Sequence, residues 1–469
     1  MKKLYLLLLL LPLFFYSCEK SGSDTDNQYV NNWIYSQMST YYLWNENLPS
    51  KSSLDFNRNP DDFFYSLLYK YKQLDGDRFS WIQDNYIDLL NSLQGVTNYD
   101  IGFEYIGYND GGTNILAQVA YVKPDTHAEQ LGIKRGDVFS KVNGTQLTTS
   151  NWRSIFNSAT AKISFKRSGA DIGEKTITLS QNYSEDPVYF DAVYTKGANK
   201  IGYLVYNFFA ADAGNNSYAY DKKLNQVFGR FKDAGITHLV LDFRYNNGGS
   251  MNSATLLGSM IVPNLNVNNV YTKLEYNTLY KNYLITKYGD NVLIDKFRDK
   301  VVNGVAINNV GNNLQGLYIL TGNWTASASE LVINNLEPYM PGKIHLIGVA
   351  TAGKNVGSTS FYKENDSRNK WGMQPIILKY ANRDGFSDFT SGLVPDVVEK
   401  DNNLTKLELG DENELMLSIA LSIINGTYSP SSALRQSMDI NLEPIGASIE
   451  KRAWANQVIV DLDHLKLNK

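Results

Sequence analysis

Gly316-Leu-Tyr-Ile-Leu-Thr321 is a short apolar run, Thr325-Ala-Ser-Ala-Ser-Glu330 crowds small residues into a turn, and Leu331-Val-Ile-Asn-Asn-Leu336 repeats apolar residues at helical spacing. That order predicts strand, tight loop and helix. Lys343-Ile-His-Leu-Ile-Gly-Val-Ala350 is a second apolar strand, and it runs into Thr351-Ala-Gly-Lys-Asn-Val-Gly357. Strand, helix and strand at this separation predict a right-handed crossover that returns the chain beside its start. Ser327 and Lys354 then lie at the ends of neighbouring strands.

A serine at the start of that helix has two readings. Ser and Thr are common helix caps. The same position also sets a hydroxyl beside uncovered N–H groups at the positive end of the helix, where acyl transfer needs both nucleophile and oxyanion donors. Lys354 favours the second reading. A lysine can act as base to a serine when burial lowers its pKa, and Gly353 and Gly357 on either side suit backbone pressed close to another group.

A third segment adds to this. His238 to Phe243 is a nearly continuous apolar run, as a strand buried on both faces requires, and Asn246-Asn-Gly-Gly249 breaks it before Ala254, Leu257, Met260 and Ile261 set a helical pattern. Adjacent glycines before a helix leave N–H groups uncovered, so Gly248 and Gly249 are candidates for one oxyanion donor and Ala328 for the other. A Ser-His-Asp arrangement would need a histidine in a loop. The four histidines are His127, in a different module, His238 and His345, on apolar strands, and His464, near the end. No His/Cys/Asp cluster has metal-ligand spacing, so neither a metal nor a cofactor is expected.

Asp242-Phe-Arg-Tyr-Asn-Asn-Gly-Gly249, Thr325-Ala-Ser-Ala-Ser-Glu330, Gly353-Lys354 and Gly392-Leu-Val-Pro-Asp396, in that order and spacing, resemble the C-terminal processing peptidases of family S41. The resemblance implies a multidomain α/β (α+β) chain with a crotonase-like ββα core and a Ser/Lys dyad, with Ser327 rather than Ser329 as nucleophile. Many relatives carry a lysine-orienting glutamine four residues beyond the lysine. Ser358 stands there in this chain, as a possible orienting residue. The rival implication is a catalytically inactive peptide-binding protein on the same fold.

Met1-Lys-Lys-Leu-Tyr and the apolar Leu6 to Phe15 form an export signal too short to span a bilayer as a mature helix. Cys18, the only cysteine, directly follows it and resembles a bacterial lipobox, so residues 1–17 are expected to be a lipoprotein signal, Cys18 the lipidation site, and 18–27 a polar tether. The expected location is the cell envelope, anchored to the outer membrane and facing periplasm or surface. Residues 28–93, with helically spaced aromatics such as Trp33, Tyr41, Phe63 and Phe64, are read as a helical N-terminal domain.

Asp100-Ile-Gly-Phe-Glu104 and Ala128-Glu-Gln-Leu-Gly-Ile-Lys-Arg-Gly-Asp-Val-Phe-Ser-Lys-Val-Asn-Gly144, within residues 95–182, resemble the binding loop and core signature of a PDZ domain. The main-chain N–H groups of Ile101, Gly102 and Phe103 take the place of its carboxylate-binding loop, and a helix near Trp152, Ile155 and Phe156 would complete an apolar pocket, so the partners implied are polypeptides with exposed C-termini. Residues 187–430 are read as the catalytic domain, opened by the strand Ile201 to Tyr206 and closed by an amphipathic helix from Leu415 to Ile424. Residues 431–469 form a polar tail with a late strand at Val458 to Val460. With 469 residues, 43% of them apolar, the chain can bury more than one core, and a net charge of -4 gives no nucleic-acid footprint.

Overall fold

The computed structural model describes residues 25–97, 99–301, 304–429, 443–451 and 457–460. Cys18 and the signal segment lie outside the described residues, as does much of the tail.

The central sheet has six strands. Val188–Lys196 runs antiparallel to Asn199–Tyr206, and His238–Asp242, Gly316–Thr321, Ile344–Gly348 and Val397–Val398 follow in parallel. Their near-continuous apolar composition follows from coverage of both faces. Leu239, Leu241, Leu317 and Ile319 face a helical layer made by Ala219–Ala234, Met251–Ile261 and Ala328–Leu336, whereas Val240, Tyr318 and Leu320 face Leu415–Ile424. The expected crossover from Gly316–Thr321 through the helix to Ile344–Gly348 is present, with Leu317 opposite Ile344.

The N-terminal part is helical as expected at Asp26–Tyr41, Pro60–Ser66 and Tyr86–Leu93. It also gives one strand, Trp81–Gln83, to Gly372–Gln374 of the core. Residues 103–178 supply seven strands of a separate eight-stranded sheet, completed by Pro444–Ala447, around Phe103, Phe139, Trp152 and Phe165. No helix forms near Trp152. Asn151 instead accepts from the Thr148 N–H and donates to the Gln146 carbonyl, and this local bonding holds residues 151–154 as a turn.

The two bodies are locked by a buried ionic network. Arg135 and Arg244 both reach Asp401 (3.0 and 2.9 Å) and Glu414 (3.2 and 2.7 Å), and Arg244 also pairs with Asp242 at 2.6 Å. Burial works against the charge of Asp401, yet Lys406, Arg135 and Arg244 hold its carboxyl well below the usual carboxylate range.

Candidate active site

Three loops converge at the carboxyl ends of the parallel strands, where open α/β sheets place their sites. They follow Asp242, Thr321 and Gly348. The first clamps the second: Thr325 Oγ1 donates to the Phe243 carbonyl (2.7 Å), while the Ala326 N–H and the Ser329 hydroxyl donate to the Asn246 carbonyl (3.1 Å each). Ser329 is therefore a structural serine.

Ser327 is fully buried, at φ 62° and ψ −111°. A non-glycine residue at positive φ costs about 1–3 kcal/mol and persists only where its surroundings impose it. Strand-to-helix turns that present a nucleophile use this kind of strained geometry. Its Oγ is buried and has no hydrogen-bond partner among the described residues. Ser327 nonetheless stands at the N-cap of Ala328–Leu336 in a capping-box arrangement with Glu330, so the helix-cap and nucleophile readings fall on the same residue.

Lys354 follows Gly353, whose φ is +78° and where an added Cβ would lie 2.2 Å from the Thr390 carbonyl oxygen, so only glycine fits. The Lys354 side chain is fully buried, with Nζ 4.7 Å from the centre of the Phe79 ring. Burial pushes its pKa well below the ordinary 10.5; Asp77 and Glu330 pull the other way, and Arg78 adds to the depression.

Glu330 ties the two loops together. Its carboxylate accepts from the main-chain N–H groups of Ser327 (2.7 Å), Lys354 (2.8 Å) and Gly353 (2.6 Å) and from the Thr351 hydroxyl (2.5 Å). One carboxylate oxygen thus serves the amides of both Ser327 and Lys354, which brings the two residues together as the crossover predicts. Burial raises Glu330 to about 7 even against these four donors. On the opposite side the Tyr380 hydroxyl reaches the main-chain carbonyls of both Ser327 and Lys354.

Sequence reasoning passed over Glu330 as a clasp, although Ser-x-x-Glu at a helix start is a recognisable signal. It also missed the N-terminal segment that covers the lysine. Arg78 donates to the Gly353 carbonyl at 2.8 Å, and Asp77 is held by the Tyr42 hydroxyl at 2.8 Å. No local pattern reports such contacts across 275 residues of chain.

Gly248 gives its N–H to Asn246 Oδ1 (3.0 Å), and Gly249, at φ +131°, packs so tightly on Phe209 that a Cβ would lie 2.1 Å from its carbonyl oxygen. Ala328 opens the helix after Ser327. Ser358 is a buried residue of the strand Val356–Ser358. The 101–103 loop leads into Phe103–Asn109 of the separate sheet, where Gly102 already donates to Asp100 (2.7 Å) and the Phe103 side chain is buried in that sheet's core. His238 and His345 stand opposite Gly316 and Tyr318, toward the other end of the sheet. Among the described residues no group of metal-ligating side chains gathers.

The profile of Peptidase family S41 matches residues 200–399, and that of the Peptidase S41 N-terminal domain matches residues 29–81. The chain belongs to peptidase family S41. A crystal structure assigned to the S41 proteases, from Bacteroides fragilis NCTC 9343, is 29% identical, with a TM-score of 0.70 over 85% of this chain and 98% of that one. A photosystem II D1 C-terminal processing protease is 18% identical, with a TM-score of 0.45 over 80% of this chain and 94% of that one. No curated protein matches.

Proposed function

We propose that the protein is a serine endopeptidase in which Ser327 is the nucleophile and Lys354 its general base. The observation that carries this is a buried serine hydroxyl on strained backbone with no hydrogen-bond partner among the described residues, clasped through Glu330 to a lysine whose pKa burial lowers. Ser327 Oγ attacks the peptide carbonyl carbon and its proton passes to Lys354 Nζ. The carbonyl oxygen becomes an oxyanion, for which Gly248, Gly249 and Ala328 are the proposed main-chain surroundings. Lys354 then gives the proton to the leaving amine, and water, deprotonated by Lys354, hydrolyses the acyl-enzyme. Ser358 is proposed to help orient the lysine. An inactive peptide-binding protein would gain nothing from holding a strained serine on the same carboxylate clasp as a lysine whose pKa burial lowers.

We read residues 95–182 as a PDZ domain that selects polypeptide C-termini by strand addition to Phe103–Asn109, with the Ile101 and Phe103 amides left to face the terminal carboxylate. Digestion of an unfolded test protein with a free or an amidated C-terminus, by wild type and by Ser327→Ala, tests both parts. Faster cleavage of the free form, lost in Ser327→Ala, is expected. Equal rates for the two forms would remove the terminus from the recognition.

Activity is expected to rise with pH. The base works only when deprotonated, so the rising limb reports the depressed pKa of Lys354. The same depression means the unfolded chain binds the extra proton, so this lysine adds stability as pH rises from its native pKa toward 10.5. A pH profile of kcat/KM that is flat from mildly acidic to alkaline pH would argue against a lysine base.

We further propose a lipid anchor at Cys18 in the cell envelope. Cys18→Ser should move the protein from the membrane to the soluble fraction with its cleavage of a soluble substrate unchanged. Retention of Cys18→Ser in the membrane fraction would refute the anchor.

A further inference from the structure

The tail of the chain returns to both places at which an extended peptide would bind. Pro444–Ala447 pairs antiparallel with Phe103–Asn109, setting Pro444 opposite Tyr108 and Ala447 opposite Ile106. Ser448 continues along that edge, its Oγ accepting from the Tyr105 N–H at 2.8 Å. The chain then touches the site loops. Asn247 donates to the Ile449 carbonyl (2.9 Å), and the Trp324 indole, in the loop that leads to Ser327, donates to Glu450 (2.8 Å).

Gln457–Ile459 goes further. It is inserted between two strands of the site, parallel to both: Gly248, Gly249 and Ser250 pair with Gln457, Val458 and Ile459 on one side, and Ser358 pairs with Ile459 on the other. The Val460 N–H donates to the Ser358 carbonyl (2.9 Å), and its own carbonyl accepts from Thr359 Oγ1 (2.7 Å). The Val460 side chain is buried over Gly357, where a Cβ would crowd it at 3.2 Å. Lifting this strand away would leave a slot about 9–10 Å wide, two strand spacings, bordered by the glycine pair and by the strand after Lys354. Gly-Gly-Ser is a poor strand on its own; Phe209 bridges it on one side, accepting from the Ser250 N–H (2.8 Å), and the tail strand pairs with it on the other. Such a slot accepts any extended chain through main-chain hydrogen bonds.

We propose that residues 444–447 and 457–460 are a resident occupant of the substrate groove, an internal competitor that a polypeptide must displace in order to be cleaved. The substrate then takes the same two strand positions, parallel to Gly248–Ser250 and Val356–Ser358 in the slot. This rests on the peptidase reading above and adds its regulation. A competitor on the same chain acts at an effective concentration of order millimolar, enough to raise KM about tenfold against a substrate of similar intrinsic affinity.

Hydrogen exchange on full-length Ser327→Ala, with and without saturating reduced and carboxymethylated α-lactalbumin, tests the displacement without relying on cleavage. Exchange at 444–447 and 457–460 is expected to rise at least about tenfold. Gly248–Ser250 and Val356–Ser358 should stay protected, because the substrate strand replaces the tail. Val460→Asp in the full active chain should raise kcat/KM about tenfold, mainly through KM. A tail that stays protected under saturating substrate overturns the proposal, as does a natively folded Val460→Asp with unchanged or lower kcat/KM, since the tail would then be a structural strand. Undiminished cleavage by Ser327→Ala would instead refute the peptidase assignment, and the exchange result would stand apart from it.

Discussion

Ser327→Ala and Lys354→Ala are each expected to lower kcat/KM for an unfolded protein substrate by about 10⁴-fold or more, with Ser329→Ala keeping most of its activity. Nucleophile and base act as a unit, so removing either removes the route; a 10⁴-fold loss corresponds to about 5 kcal/mol of transition-state stabilisation. The double variant should fall little further than either single one. Stability should separate from chemistry. Burial works against the charge of Lys354, so Lys354→Met, of similar length and apolar, should unfold at no lower temperature than wild type while losing the activity. Ser327→Gly would relieve the φ of 62° and is expected to stabilise slightly. Thermal melts of these variants beside their kinetics check the separation. Wild-type turnover in Ser327→Ala would remove the serine from the mechanism.

The parts of the fold and site that were legible in the sequence are the local ones. Apolar runs broken by small residues gave the crossover, and with it the meeting of Ser327 and Lys354, because strand, helix and strand leave their periods in consecutive residues. The helices Met251–Ile261 and Leu415–Ile424 were readable for the same reason. The rest depends on residues far apart in the chain. Nothing around Asp77-Arg-Phe79 marks it as the cover over Lys354, since its partners are Gly353 and Thr390. The expected helix near Trp152 failed because the side chain of Asn151 competes for the local backbone. Phe103 was read as part of a binding loop, but its ring packs among Tyr105, Phe139, Phe156 and Phe165, so only its main chain is left for a ligand. Val458 to Val460 was readable as a strand, but nothing in three apolar residues tells which edges they will join.

Arg244→Met is expected to cost about 3–5 kcal/mol, because it strands carboxylates that are already out of water. Asp242, only 1% exposed, has Arg244 as its ion-pair partner and otherwise accepts from the Tyr203 hydroxyl at 2.8 Å and the Arg244 main-chain N–H at 3.2 Å. Asp401 and Glu414 keep Arg135, and Asp401 keeps Lys406 as well, so the uncompensated charge falls mainly on Asp242. The double variant Asp242→Asn/Arg244→Met should therefore recover part of the loss, whereas Glu414→Gln/Arg244→Met should recover less. This loss would be a large share of the roughly 5–15 kcal/mol that holds typical domains folded. Activity should fall with it. Arg244 lies directly before the turn whose Asn246 carbonyl holds Ala326 and Ser329, so a shift there loosens the loop that strains Ser327. Denaturant titration of the three single variants, Arg244→Met, Asp242→Asn and Glu414→Gln, and of the two double variants measures the coupling. An Arg244→Met protein as stable as wild type would show that the carboxylates of this network take up protons or water when the arginine is gone, and that the network orients the loop without holding the fold.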